Sequence, residues 1–306
     1  MGDPDAHPIL SAPPLTQTLL RESISFVGGG AAALLQSAHP FVAKGIFDHS
    51  EVLTNPLSRF ERTFHYMFRI VFGDLRTILQ SSRAIRRLHN RVFGSLGTSD
   101  PGAFAPGEAY SAHDREAVKW VYATLLETNV FLVDLMVHPL SPADRADIIR
   151  HSVLGSFPFG LSHGDFPSSY EDFERYYFAV CHSSLITVTE EAREICQSLM
   201  RPLPIEKHLP VNSLKTVTGV LLPEPVALQY GFSVGFGAYL YSASFLAMYQ
   251  IVYNLLPGDI RYLTPYLSAK AKQEGRELST LSRLAAKFAD SFVKTSLGQW
   301  SKTTQT

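Results

Sequence analysis

The sequence predicts an all-α fold, a globular bundle of many helices, and three observations carry that prediction. Apolar residues recur at spacings of three and four in one stretch after another, the period that stacks side chains on one face of a helix. Glycine, proline and serine gather between those stretches, most densely in SLGTSDPGAFAPGEAYSAHD at 95–114. Nowhere does a series of segments alternate apolar with polar residues, as the strands of a half-buried sheet would. The 306 residues are 45% hydrophobic and 18% charged, which is material for a sizeable core under a surface rather poor in charge.

Taken in order, residues 1–13 read as a disordered leader and 14–300 as a single domain. Leu15 to Val27 carries a helical pattern that ends at Gly28-Gly29-Gly30. AAALLQSAHPFVAKGIFDHS then reads as a helix interrupted at Pro40, because proline lacks the amide donor and clashes with the preceding turn. Ala31, Ala32, Ala33, Ser37 and Ala38 are small, which suits close helix packing or the close approach of a flat cofactor. Residues 55–94 hold two helical patterns in tandem, broken at Gly73-Asp74. Asp114 caps a long helix to about Val137, with Val118, Val121, Tyr122, Leu125, Asn129, Leu132 and Met136 on one face. Ser141-Pro142 opens the next, proline taking the first helical position. Further helices are expected at 168–183, 187–200, 211–221, 227–256, 258–272 and 278–296.

Composition removes several function classes. A formal charge of -1 gives no electrostatic case for nucleic acid. Cys181 and Cys196 make neither a disulfide framework nor a zinc pattern, and a reducing compartment is the default. The N-terminus is acidic and proline-rich where a secretory signal needs a basic and then an apolar run, so a cytoplasmic location is expected. From Val226 to Gly258 no residue is charged, a length that could span a bilayer. Gln229, Gln250, Asn254 and five tyrosines within it fit a buried helix of a large α protein better, so membrane association is left open rather than predicted. Twenty Phe and thirteen Tyr against two Trp suggest an aromatic interior with room for a flat or greasy ligand.

Within 55–94, Leu75, Ile78, Ser82, Ile85, His89 and Val92 share one helix face, apolar except for Ser82 and His89. An imidazole facing inward needs a hydrogen bond, a charge or a metal. On the preceding helix Arg59 and Thr63 stand four apart and so stack on one face. Two adjacent helices could thus aim a cation, a hydroxyl and an imidazole into one interior; a satisfied core histidine beside an ordinary helix end explains the same residues. His39 before the Pro40 break, and His49 beside Asp48, read as structural hydrogen-bonders more readily than as ligands. GLSHG at 160–164 matches the G-x-S-x-G elbow but lacks the strand before it and the helix directly after it. Di-iron Glu-x-x-His pairs, H-E-x-x-H, C-x-x-C-H, the phosphate loop and the dinucleotide glycine fingerprint are absent. What is left, Arg59 and Thr63 with His89, suits a single axial imidazole on a haem iron, which needs no acidic ligand set.

The run LLQSAHPFVAKGIFDHS, then NPLSRFERT, RRLHNRVFG and AYSAHDREAVKWVYATL resembles the motif order of the latex-clearing-protein superfamily of rubber oxygenases and related fungal isoprenoid-pathway oxygenases. The similarity is dense over roughly residues 30 to 130, and LLPGDIRYL fits the family's late helix. It implies an all-helical bundle enclosing a b-type haem, whose iron would work with dioxygen on a small apolar substrate, isoprenoid or another secondary metabolite, by cleavage of a C=C bond. The family's Arg-x-x-x-Thr pair falls on Arg59 and Thr63, and its axial histidine on His89. Its Trp-Val-His-x-Thr segment is Trp120-Val121-Tyr122-Ala123-Thr124 here, so Tyr122 keeps a ring and a polar tip where the family has an imidazole. By this resemblance Arg59 would meet a haem propionate and Thr63 would hydrogen-bond beside it. His39, Lys44 and Tyr122 are the candidates around the distal side. Rubber itself is not the expected substrate, for want of a secretion signal. Two other readings stay open: a non-catalytic helical protein that binds a lipid or isoprenoid, and a serine hydrolase using Ser162.

Overall fold

In the computed structural model, which describes residues 7–97, 101–200 and 213–287, helices dominate as the spacing predicts. They are α1 (Pro8–Ser11), α2 (Pro14–Arg21), α3 (Gly29–Ser37), α4 (Pro40–His49), α5 (Pro56–Phe72), α6 (Leu75–His89), α7 (Arg115–Met136) and α8 (Pro142–Ser156). There follow α9 (Tyr170–Cys181), α10 (Glu190–Leu199), α11 (Ser213–Leu221), α12 (Glu224–Gln229), α13 (Phe236–Leu255), α14 (Gly258–Arg261) and α15 (Thr264–Gln273). Residues 280–287 are helical as well. The one sheet among the described residues is a hairpin of two short strands, β1 (Phe93–Ser95) and β2 (Ala109–Ser111), antiparallel with Gly94 opposite Tyr110.

Caps start the helices where the sequence places them. Asp74 accepts from the Thr77 amide at 2.8 Å and Asp114 from the Ala117 amide at 2.8 Å, each satisfying an amide that has no partner within its own helix. Ser141 and Asp144 form a reciprocal capping box with Pro142 in the first turn. The centre of the molecule is α3, surrounded by α4, α7, α10 and α11. Leu34, Leu35, Trp120, Ile186 and Ile195 are fully buried there, and the Trp120 indole N–H donates to Leu35 O at 2.9 Å. Gly28 permits this approach: a Cβ at that position would lie 2.3 Å from Thr128 and 2.7 Å from Leu132. Of the small residues along α3 and at its end, Ala31, Ala32, Ser37 and Ala38 are buried.

The pattern from Leu15 to Val27 is broken at Glu22, which is extended between α2 and a 3-10 turn at Ser23–Phe26. Four other boundaries differ from expectation for identifiable reasons. The helix expected over 74–93 stops at His89, because the chain turns there to enter the hairpin; Val92 packs beside Gly45 instead. The single helix expected over 227–256 is two, since Gly231 takes φ +77° and ends α12. The one expected over 258–272 is also two. The Leu263 amide donates to Arg21 O at 2.8 Å instead of continuing the turn, and α15 begins at Thr264 with Pro265 in its first turn. The stretch expected as a leader is described from residue 7, and within it Pro8–Ser11 is a helical turn whose Ile9 is buried. Of the helix expected over 278–296, residues beyond 287 lie outside the described ones.

The charge-free stretch is the largest correction. Only Ser242, Leu246 and Tyr253 of α13 are buried, whereas Phe236 is 83% and Leu255 80% exposed, with Leu240, Met248, Ile251 and Val252 each more than half exposed. The residues that looked like a buried helix form an apolar outer face. No described helix is long and apolar enough to cross a membrane.

The two ends of the described chain are tied by a buried carboxylate. Glu22 is 0% exposed, accepts from the Tyr253 hydroxyl at 2.9 Å, and lies 3.0 Å from Arg261 Nε and 3.5 Å from Arg21 Nε. Neither Nε–H points along a hydrogen bond; Arg261 Nη2 supplies one at 3.3 Å.

Candidate functional site

The C-terminal end of α4 joins the two segments that the sequence singles out. His49 Nε2 lies 3.1 Å from Phe93 O, four residues past His89, and 3.2 Å from the Tyr110 hydroxyl. That hydroxyl donates to Asp48 at 2.8 Å, so α4 and the hairpin are locked together. The next residue, Ser50, accepts a hydrogen bond from Arg59 Nη1 at 3.3 Å. Arg59 and the turn after His89 thus meet adjacent residues of one helix end.

Arg59 is half-buried, and no carboxylate of the described residues lies within salt-bridge distance of it. Burial, with a smaller push from Arg62, lowers its pKa to about 10. A guanidinium so placed is short of an anion. Thr63, one turn on, is exposed, as is His65.

His89 ends α6, half-buried, with its ring 5.9 Å from that of His113 and no hydrogen bond to any described residue. Burial first and His113 second push its pKa below the ordinary imidazole value, which favours the neutral ring. The three arginines that precede it, Arg83, Arg86 and Arg87, which by charge alone would be expected to do this, are exposed. His113 is itself held by Asn90 at 2.7 Å. The stripe leading to His89 is half-buried rather than interior: Leu75 is exposed and only Ser81 of α6 is fully buried.

The remaining candidates divide. His39, 3% exposed, precedes Pro40 between the rings of Phe41 at 5.7 Å and Phe104 at 5.3 Å. Its Nδ1 has no hydrogen-bond partner among the described residues, and burial, opposed by Asp114, lowers its pKa to about 4. Tyr122 donates to Ser152 O at 2.8 Å and packs on Phe159 and Phe166, so its polar tip is engaged with α8. The Phe157–Phe159 turn that it touches also packs on α6. Lys44 is paired with Asp48 at 2.7 Å and Glu191 at 3.8 Å. Ser162 is not a nucleophile poised on a strand: its hydroxyl donates to Asp165 at 2.5 Å within a loop, and no central sheet exists among the described residues. No group of three or more metal-ligating side chains occurs among them either. Neither of two surface clefts, one along α5 and α15 and one around 163–168, is lined by Arg59, Thr63 or His89.

The sequence pointed to Ser50, Tyr110 and His113 only as letters within the runs FDHS and AYSAHD. Nothing in spacing indicates that Ser50 meets Arg59, because that pairing depends on where α4 ends relative to α5.

One titratable group was missed outright. Glu127 on α7 has its pKa raised to about 7, by burial and then by Glu174, against weaker lowering from Tyr170 and Arg145. Its one hydrogen bond among the described residues, from the Tyr170 hydroxyl, is long at 3.4 Å. A carboxyl whose folded pKa is raised stabilises the fold most below its unfolded pKa of roughly 4.5. That advantage is lost as pH rises through 7. Glu127→Gln should therefore flatten the stability profile between these values and stabilise the protein above pH 7 by about 2–3 kcal/mol. Urea denaturation of both proteins at several pH values checks this; an unchanged pH slope would contradict it.

A family model described as ER-bound oxygenase mpaB/B'/rubber oxygenase, catalytic domain, matches residues 16–258, most of the chain. No curated protein and no solved structure gives a significant match.

Proposed function

Because the chain belongs to this family of oxygenase catalytic domains, we propose that it is a haem-b-dependent oxygenase that works with dioxygen on a small apolar substrate, an isoprenoid or another secondary metabolite. Oxidative C=C cleavage is the reaction we favour. The observation that carries the cofactor assignment is His89, a ring kept neutral by its surroundings and bonded to nothing in the described chain.

The residues present fit the group. Holding the iron would need a neutral imidazole with a nitrogen to give, and His89, whose pKa is lowered and whose ring no described residue hydrogen-bonds, would supply it. A propionate needs a cation, and Arg59 is a half-buried guanidinium with no carboxylate partner among the described residues. His89 would hold the iron, Arg59 would pair with a propionate, and Ser50 would keep Arg59 oriented through their hydrogen bond. Thr63 would hydrogen-bond at the edge of the same site. His39 and Tyr122 would flank it: His39 with an unpartnered Nδ1, Tyr122 with its hydroxyl fixed on Ser152 O. Haem b, when bound, supplies the activation of dioxygen; the protein supplies position, an apolar surround and exclusion of water.

The family description includes ER-bound members, and the uncharged outer face of α13 is the surface of this chain best suited to lipid. We therefore place the protein in the cytoplasm with peripheral membrane contact, which flotation with neutral liposomes tests. The absorbance spectrum decides the main reading. A Soret band in the purified or haemin-supplemented protein supports the oxygenase. A colourless protein indifferent to haemin that still binds an isoprenoid alcohol supports the non-catalytic lipid binder instead.

A further inference from the structure

Ten residues along α5 from Arg59, roughly 15 Å at helical rise, lies a cleft of about 370 Å³ between α5, the start of α6 and α15. Its floor is apolar, formed by Phe68, Phe72, Pro265 and Ala269. Arg69, His65, Lys272 and His7 surround that floor.

Arg69 is the informative group. Its Nε donates to the hydroxyl of Ser81 at 3.1 Å, and Ser81 is 1% exposed, so a buried anchor on α6 orients the guanidinium. No carboxylate of the described residues pairs with it, and its Nη1 and Nη2 have no acceptor there. That leaves the two-nitrogen edge of an oriented fork, the arrangement that matches a carboxylate. His7 is fixed beside it: its Nδ1 lies 2.9 Å from Phe72 O, which only accepts, so Nδ1 carries the proton, and Nε2, without a partner among the described residues, is an acceptor that leaves the acid group to Arg69. The nearby anion, Asp74, is already committed to the Thr77 amide and to Lys272 at 3.7 Å.

We propose that this cleft binds a small amphipathic carboxylate of the medium-chain fatty acid type, its acid group on Arg69 and its hydrocarbon chain against Phe68 and Phe72. The volume is at the low end for ligand sites, which suits a short chain and excludes a bulky cofactor. The site is separate from the His89 region and does not depend on the haem reading.

Calorimetric titration of the full chain with decanoate and with decanol tests it. Decanoate should bind about tenfold or more tightly than decanol. Arg69→Gln should bring decanoate down to the level of decanol. Ser268→Trp, a change at an exposed lining residue, should fill the cleft and abolish binding of both. The proposal is overturned if decanoate gives no binding heat, if it binds no better than decanol, or if Ser268→Trp leaves it unchanged. Equal decanoate affinity in wild type and Arg69→Gln also overturns it. Should Arg69→Gln fail to fold, the decanol comparison and Ser268→Trp still decide the matter.

Discussion

Glu22→Ala should lower folding stability by about 3–5 kcal/mol, because it takes the shared anion from two largely buried arginines and a tyrosine. The carboxylate is fully buried, and everything around it is arranged to receive it: the Tyr253 hydroxyl, Arg261 through two nitrogens, and Arg21 beside them. Tyr253 also accepts the Ile24 amide at 3.1 Å, so its loss of orientation would reach the turn at Ser23–Phe26. The network closes α2 onto α13 and α14, and the Glu22–Tyr262 bridge runs beside it. Glu22→Gln should cost nearly as much, since the charges on Arg21 and Arg261 remain. By contrast Asp147→Ala breaks an exposed pair with Arg150 and should change stability by less than about 0.5 kcal/mol. Urea denaturation with an unchanged m-value measures all three. A loss below about 1 kcal/mol in Glu22→Ala would show that the buried network is not a stabilising closure.

Arg59→Met should stabilise the haem-free protein and weaken the haem-loaded one, a change of sign that an ordinary structural arginine would not give. The guanidinium is desolvated, and among the described residues its one hydrogen-bond partner is the neutral Ser50. A base whose folded pKa falls from the ordinary 12.5 to about 10 loses stability in its charged form, at every pH below about 10. That shift corresponds to about 3 kcal/mol, from which the lost Ser50 hydrogen bond removes about 1. A net gain of about 2 kcal/mol is therefore expected without haem. With haem bound, the same substitution removes the cation facing a propionate, so haem should dissociate faster. Denaturation with and without haemin reads both signs. Destabilisation of the haem-free protein by more than about 1 kcal/mol would mean that Arg59 has an anionic partner within the chain.

Local patterns made the helices legible, and tertiary geometry hid most of the site. Asp114 and Ser141-Pro142 carry their caps within four residues, so their helices start where spacing says. The end of α6 depends instead on the chain turning into a hairpin with residues 109–111, a partner no local window contains. Uncharged residues from 226 to 258 looked like core because hydropathy registers composition and not neighbours; α13 in fact turns Phe236, Ile251 and Leu255 outward. Arg59 and His89 were visible as residue types at suggestive spacing. The link between them through His49 and Ser50 was not, since it rests on the angle at which α4 ends against α5 and the hairpin. Glu127 escaped notice because a glutamate on a long helix looks exposed until α8 and α9 are seen to cover it.

Soret absorbance per mole of protein, after haemin reconstitution of wild type, His89→Ala, His39→Ala and His65→Ala, tests the central claim most directly. Burial and His113 lower the His89 pKa, which favours the neutral ring that coordination requires, and no described residue hydrogen-bonds its nitrogens. His65 is exposed on α5, and His39 is enclosed by phenylalanines. The account predicts a folded His89→Ala protein whose haem is absent or readily lost to apomyoglobin, with retention near the wild-type level in the other two. Full retention in His89→Ala together with loss in His39→Ala or His65→Ala would contradict it.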